Sequence, residues 1–500
     1  MRCRWRKWQT LSVADWTFDN SLIRELPGLF TPWQAEPPKA PQLTLFNDAL
    51  AAQLGLPGRD AGEGQLAAWL SGAAPVPGSE PAALAYAGHQ FGQFNPAMGD
   101  GRALLLGEIL APDGARFDLQ FKGSGRTPYS RGGDGMCALG PALREYLMSE
   151  AMAALHVPTT RSLAVVATGS GIWRELPHPA AVLTRIAASH LRIGTFEYAA
   201  AHQGAEAVQR LTDYALNRHY PALMTARNRP LALLEAVAEA QARLVAKWMA
   251  LGFVHGVMNT DNVTISGETI DYGPCAFLDT YSASEVFSSI DRQGRYAYGQ
   301  QPAVCRWNLY QLASALIGAI AAVDPADAEA ARTLLEDWPL RYQAHWLREL
   351  RAKLGLSTEQ DGDLQLALDL LAQLEGQQAD FTLLFRALSA SLSHGYQPIA
   401  EQLLDPAALK PWFARWQARL ALEPADPATR AAVMEAVNPL YIARNHRLDA
   451  ALTAAEAGDL APFTALLAAV SQPFAAQTGW EQFAAPAPTG TPHHVTFCGT

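Results

Sequence analysis

Residues 253–274 read FVHGVMNTDNVTISGETIDYGP, and few folds accommodate such a stretch. A helical run ends at Gly252, and a short apolar step, Phe253-Val254, follows. A polar loop then carries Asp261-Asn262, a turn at Ser266-Gly267-Glu268 is expected to close a small hairpin, and Asp271-Tyr272-Gly273 ends the segment. Asn262 and Asp271 both offer hard oxygen atoms, which a small divalent cation prefers. An Asn and an Asp flanking a hairpin are also what a protein kinase uses to hold Mg²⁺ on a nucleotide. His255 and Asn262 fit the first and last positions of the kinase pattern H-x-D-x-x-x-x-N. The catalytic Asp position holds Val257, which cannot accept a proton. Asp261 stands one residue before the metal Asn instead. The pattern leaves two readings open, an inactive kinase-like binder or different chemistry with a displaced base.

Upstream, residues 99–122 read as two strands joined by a turn at Pro112-Asp113-Gly114. In the second, Phe117, Leu119 and Phe121 share one face, while Asp118, Gln120 and Lys122 share the other. Lys122 is one of only six lysines. At a strand end entering a Gly-rich loop it is either a phosphate ligand or a solvated lysine. Gly99 and Gly101 let backbone approach a phosphate closely. The loop 123–135 adds Arg126, Arg131, Asp134 and Gly135. Its GDGMCA stretch imitates a dinucleotide fingerprint, but a polar loop precedes it where a buried strand is required. The helix after it, opened by Pro141, carries Glu145 on one stripe with Met148 and Met152. An acid on an apolar stripe needs a partner, and Lys122 is the expected one.

Composition narrows the class. The chain has 500 residues, 49% hydrophobic and 17% charged, enough for sizeable cores and against general disorder. The formal net charge of −10 argues against nucleic acid as a main partner. No stretch reaches the ~18 apolar residues of a membrane helix, so no membrane insertion is expected. Arg2, Arg4, Arg6 and Lys7 are not followed by an apolar run, which disfavours a secretory signal; a mitochondrial transit peptide stays compatible, with no acid before Asp15. Five scattered cysteines without CxxC exclude a disulfide scaffold or zinc ribbon. Residues 43–72 read as helices. The texture is α+β over 80–300 and mainly helical over 305–470.

Lys122, Glu145, His255, Asn262 and Asp271 come in kinase order. Together with YAGHQFGQFNPAMGDGRALLLGE (86–108), LQFKGSGRTPYSRGGDG (119–135), VLTRIAASHLRIGTFEY (182–198), HGVMNTDNVTISGETIDYGPCAFLD (255–279) and QPAVCRWNLYQLASAL (301–316), they resemble the selenoprotein O family of kinase-like protein adenylyltransferases. The resemblance implies an α+β, protein-kinase-like two-lobed fold with a largely helical C-terminal extension. It implies an N-terminal segment (1–80), an N-lobe-like nucleotide-binding region (81–200), a C-lobe-like region with catalytic and metal loops (201–300), a helical region (301–480) and a tail (481–500). ATP would be bound flipped, so that AMP rather than the γ-phosphoryl group moves to Ser, Thr or Tyr hydroxyls of protein substrates. The alternative is a catalytically inactive nucleotide-binding pseudokinase. Gly99, Gly101, Arg102, Lys122, Asp134, Gly135, Arg185, Arg192 and Asp271 are implied in nucleotide binding, with Glu145 as partner of the lysine. Asp261 is the implied proton acceptor, and Asn262 and Asp271 the ligands of Mg²⁺ or Mn²⁺. Arg185 and Arg192, seven residues apart, are expected to face the same way if helical. A bacterial-type member is expected in the cytoplasm. The family also carries a selenocysteine or cysteine third from its C-terminus, where this chain has Cys498. The activation-segment stretch YSASEVFSSIDRQGR offers it no cysteine partner.

Overall fold

The computed structural model describes residues 16–496. The basic N-terminal residues, Cys3 and Cys498 lie outside that range. Twelve strands are present among the described residues. One eight-stranded antiparallel sheet holds β1 (Phe30–Pro32), β2 (Gln42–Phe46), β3 (Ala82–Leu84), β6 (Ala103–Leu110), β7 (Arg116–Lys122), β8 (Cys137–Ala138), β9 (Arg161–Trp173) and β10 (Pro177–Ala187). Its order is β1-β3-β6-β7-β10-β9-β2, with β8 on β10. A separate hairpin pairs β4 (Gly88–Gln90) with β5 (Gln93–Asn95), and β11 (Phe253–Val254) pairs with β12 (Ala276–Phe277). The apolar step after Gly252 is therefore a strand, and residues 42–46, expected to begin a helix, are one as well.

Strand alternation divides the sheet into two chemistries. Leu104, Leu106, Leu119, Phe121, Val166, Val182 and Ile186 point to one side, into an apolar layer closed by helices Asp48–Leu54 and Glu63–Trp69. Leu105, Val165, Ala181 and Leu183 point to the other side and join the large core. That inner face also carries the polar residues of β7. Asp118 takes the Arg218 guanidinium at 2.6 Å, Gln120 accepts from Arg185 at 2.6 Å, and Lys122 reaches Glu145 at 2.5 Å.

Helix Leu139–Ala154 lies on the inner face, against β9 and β10. It is buried on nearly every side, because helices Asn445–Glu456 and Ala461–Val470 cover its far side. Helix Arg229–Leu251 begins with Asn228 accepting from the Leu231 amide and Pro230 in the first turn. It ends at Gly252 with φ 72°, where a Cβ would sit 2.6 Å from the Phe381 ring. This helix packs on Gln301–Val323 and Trp338–Lys353. From residue 301 to 470 every regular element is a helix. Among the described residues no helix is long and apolar enough to cross a membrane.

Candidate active site

Between the inner edge of the sheet and the 257–274 loop lies a cleft of about 530 Å³. Gly99, Gly101, Arg102, Lys122, Asp134, Gly135, Arg185, Arg192, Asp261, Asn262 and Asp271 all line it. These residues are scattered over 170 positions of sequence, yet they meet at one opening. Glu145 and His255 stand behind the wall. Six cationic side chains line the cleft against four aspartates, which suits an anionic ligand.

Asp271 is the hub. Its Oδ1 lies 3.0 Å from Lys122 Nζ and 2.8 Å from Arg185 Nη1, and its Oδ2 lies 2.6 Å from Arg192 Nη1. Burial works to raise this carboxyl, but Lys122, Arg185 and Arg192 outweigh it and hold it well below the usual carboxylate range. Asp271 also has φ 65°, the left-handed region that a branched or bulky residue avoids. Three ion pairs hold it in that conformation. Glu145 completes the cluster from below, 2.5 Å from Lys122 and 3.1 Å from Arg185.

The two arginines do not sit on one helix. Arg185 projects from the inner face of β10, and Arg192 is the residue before helix Ile193–His202. They converge because the turn between them folds both guanidinium groups onto Asp271. Arg192 is further fixed by a bond to the Asp261 carbonyl and by stacking on Tyr86, 4.8 Å from the ring centre. The expected hairpin at 266–268 is likewise replaced. Thr264 Oγ1 donates to the Glu268 carbonyl at 2.7 Å and accepts its amide at 2.9 Å. The arms pair outward instead, Thr264 with Arg192 and Thr269 with Thr159.

Asp261 is 6% exposed, and its Oδ1 has no hydrogen-bond partner. Burial is the main cause of its carboxyl being pushed up to about 6. Its neighbour Asn262 donates Nδ2 to the Val257 carbonyl at 3.0 Å, which fixes the amide and leaves Oδ1 as an acceptor at the cleft. The donor set of Asn262 and Asp271 fits Mg²⁺, which binds through one or two protein oxygens and takes the rest from phosphates and water. His255 is buried behind the loop, its Nε2 2.8 Å from the Ile270 carbonyl. Val257, at the Asp position of the kinase pattern, lines the cleft.

The glycines answer to packing as much as to a ligand. A Cβ on Gly99, at φ 65°, would sit 2.3 Å from the Tyr129 ring, and one on Gly135 would sit 1.9 Å from the Gly125 carbonyl. The 123–135 loop thus folds tightly over residues 99–101, and Thr127 Oγ1 donates to the Asp100 carbonyl at 2.6 Å. Asp134 is paired with Arg174 at 2.7 Å. Tyr86, Tyr129 and Arg174 belong to the cleft and were missed by the sequence reading. Tyr86 and Tyr129 lay inside the quoted stretches; Arg174 had no local signal at all. Cys275 is buried, and burial pushes its thiol up to about 11.

A lysine–glutamate pair, a buried carboxylate beside an Asn, and a cation cluster around one aspartate thus meet at one cleft. The sequence profile described as "Protein adenylyltransferase SelO" matches residues 13–471. The protein nucleotidyltransferase YdiU of Sphingopyxis alaskensis is 55% identical over 484 residues, covering 97% of this chain and 99% of the relative. Its namesakes in Cereibacter sphaeroides and Geobacillus kaustophilus are 54% and 51% identical, each again over 97% of this chain. The chain belongs to the SelO family. It is an enzyme of the nucleotidyltransferase class.

Proposed function

We propose that the chain moves AMP from ATP to Ser, Thr or Tyr hydroxyls of proteins, releasing pyrophosphate. The observation that carries the reading is the convergence of Asp261 and three buried cations on one cleft. The hydroxyl oxygen attacks the α-phosphorus, and the bond from that phosphorus to the bridging oxygen of pyrophosphate breaks. The Asp261 carboxylate, part of the cleft lining, takes the hydroxyl proton. Lys122, Arg185 and Arg192 take up the charge that grows on the leaving phosphates. Glu145 holds Lys122 and Arg185 in place, and Arg102, Gly99, Gly101, Asp134 and Gly135 form the walls around the nucleotide. Mg²⁺ or Mn²⁺, held by Asn262 and Asp271, would supply further charge neutralisation on the phosphates.

The reading includes a kinase-like two-lobed arrangement. In it, 81–200 is the nucleotide-binding lobe and 201–300 carries the catalytic and metal loops. Residues 1–80 pack on that core, 301–480 form a helical extension, and 481–500 form a tail. The lysine–glutamate pair between sheet and helix supports it. The bacterial relatives support a cytoplasmic location.

Val257, in place of the acid of the kinase pattern, sets this reading against γ-phosphoryl transfer and against binding without transfer. Parallel incubations with α- and γ-labelled ATP separate the cases. We expect label on protein from the α position only. Label from the γ position alone would restore a kinase, and bound nucleotide with no labelled protein would establish the inactive binder.

A further inference from the structure

The β4–β5 hairpin stands at the mouth of the cleft and is anchored to the residues just before Asp261. The His89 amide donates to Thr260 Oγ1 at 2.8 Å, and the Phe91 amide donates to Asn259 Oδ1 at 3.2 Å. Thr260 Oγ1 in turn donates to Glu197 Oε2 at 2.7 Å, and Glu197 Oε1 meets His89 Nδ1 at 2.6 Å. The base of the hairpin also touches the carboxylate itself: a Cβ on Gly88 would sit 2.4 Å from Asp261 Oδ1.

An anchor this dense would ordinarily serve to bury something. Here two aromatic rings stay part-exposed, Phe91 at the turn against Tyr296 and Phe94 in β5 against His89. Phe91 is 38% exposed and Phe94 47%, and Ile290 beside the same opening is 50% exposed. Phe91, at φ 50°, and Gly92, at φ 83°, are the two central residues of the hairpin turn, which fixes the backbone that carries the Phe91 ring. Phe91 and Ile290 line the cleft that Asp261 lines. Arg295 lies against the hairpin turn, its Nη2 3.6 Å from where a Cβ of Gly92 would stand. Its guanidinium sits 4.7 Å from the Trp307 ring centre and has no ion pair among the described residues. A rigid apolar rim continuous with the acceptor end of the cleft, next to an unpaired cation, specifies a partner.

We propose that Phe91, Phe94, Ile290 and Arg295 form the docking surface for the acceptor protein. The occupant is an extended segment with an apolar side chain beside the modified hydroxyl and an acidic side chain beyond it. The proposal rests on the adenylyltransferase reading. Exposed apolar groups gain by burial against an apolar neighbour, and a stacked arginine favours a carboxylate.

The test uses the full chain, α-labelled ATP and a library of Ser-centred peptides varied at the flanking positions. Wild type is expected to prefer a flanking Leu or Phe with an Asp or Glu further on. Phe94→Ser should raise the KM for preferred peptides about tenfold, with nucleotide affinity by calorimetry unchanged. Arg295→Glu should exchange the acidic preference for a basic one, a reversal that a merely misfolded variant would not give. Transfer without flanking preference, or an unaltered peptide KM in Phe94→Ser, would overturn the docking surface alone. No AMP on any peptide or protein from wild type would overturn the adenylyltransferase reading and this proposal with it.

Discussion

Lys122 Nζ and Asp271 Oδ1 are 3.0 Å apart, so the lysine of the sheet is in direct contact with the aspartate proposed as a metal ligand. Arg185 and Arg192 lie on the same carboxylate, so three cations share Asp271. On the proposed reading, phosphates that draw these cations away would free the carboxylate for the metal. Nucleotide and metal should therefore bind together.

Removing Asp271 tests that coupling. Asp271→Ala should abolish AMP transfer, by at least about 10³-fold, and erase the gain in nucleotide affinity that Mg²⁺ gives wild type. Calorimetric titration with and without Mg²⁺ reads it. A variant that keeps the wild-type magnesium dependence would remove Asp271 from the metal site.

Asp261→Asn should slow transfer about 10²–10⁴-fold while nucleotide affinity changes little, because the amide keeps the shape and loses the base. Turnover and affinity are measured on the same preparation, with thermal stability as a control. Unchanged turnover, or a stability loss large enough to account for it, would make Asp261 a scaffold residue.

Glu145 is buried under Lys122 and Arg185 and touches neither cleft nor solvent. Glu145→Gln leaves both cations short of a charge, which for buried pairs costs about 3–5 kcal/mol. ATP should restore part of that loss, since its phosphates supply the missing anions. Urea denaturation with and without ATP checks both effects, and equal stabilisation of wild type and variant by ATP would contradict the pairing.

Lys353, buried against Phe385 with Nζ 3.9 Å from the ring centre, has its ammonium pushed down to about 7 by burial. Its unfolded value is near 10.5. Between those values the unfolded chain holds a proton that the folded chain has lost. This group therefore adds stability as pH rises, by up to ~1.4 kcal/mol per unit. Lys353→Met should be more stable than wild type near pH 7, and the difference should shrink toward pH 10. A pH-independent difference would refute the shift.

Legibility in the sequence followed the range of the interaction. Lys122 was readable because period two in one strand puts it opposite Phe121. Its partner Glu145 was readable because an acid on an apolar helix stripe demands a cation. Arg185 and Arg192 were assigned to the cleft through the family resemblance. Their geometry was misjudged, since a strand followed by a turn brings them together as well as a helix would. The 266–268 hairpin was misjudged because Thr264 satisfies the turn with its own side chain, freeing the arms to pair with Arg192 and Thr159. The Asp134–Arg174 pair joins residues forty positions apart with no periodic trace, so nothing local announced it.

The two-faced construction of β7 makes its register with β6 a matter of fidelity. A shift of one residue would carry Phe121 into the ion cluster and Lys122 into the apolar layer. Such a chain would lack both the lysine of its ion cluster and a sound core, so an active but poorly folded molecule is hard to produce. The irregularity between Leu105 and Gly107 pins the alignment: at Gly107, φ 145°, a Cβ would sit 2.2 Å from Asn20 Oδ1. Mistranslation or damage at Gly107 should consequently yield protein that quality-control proteases remove, rather than a pool of folded enzyme with altered specificity.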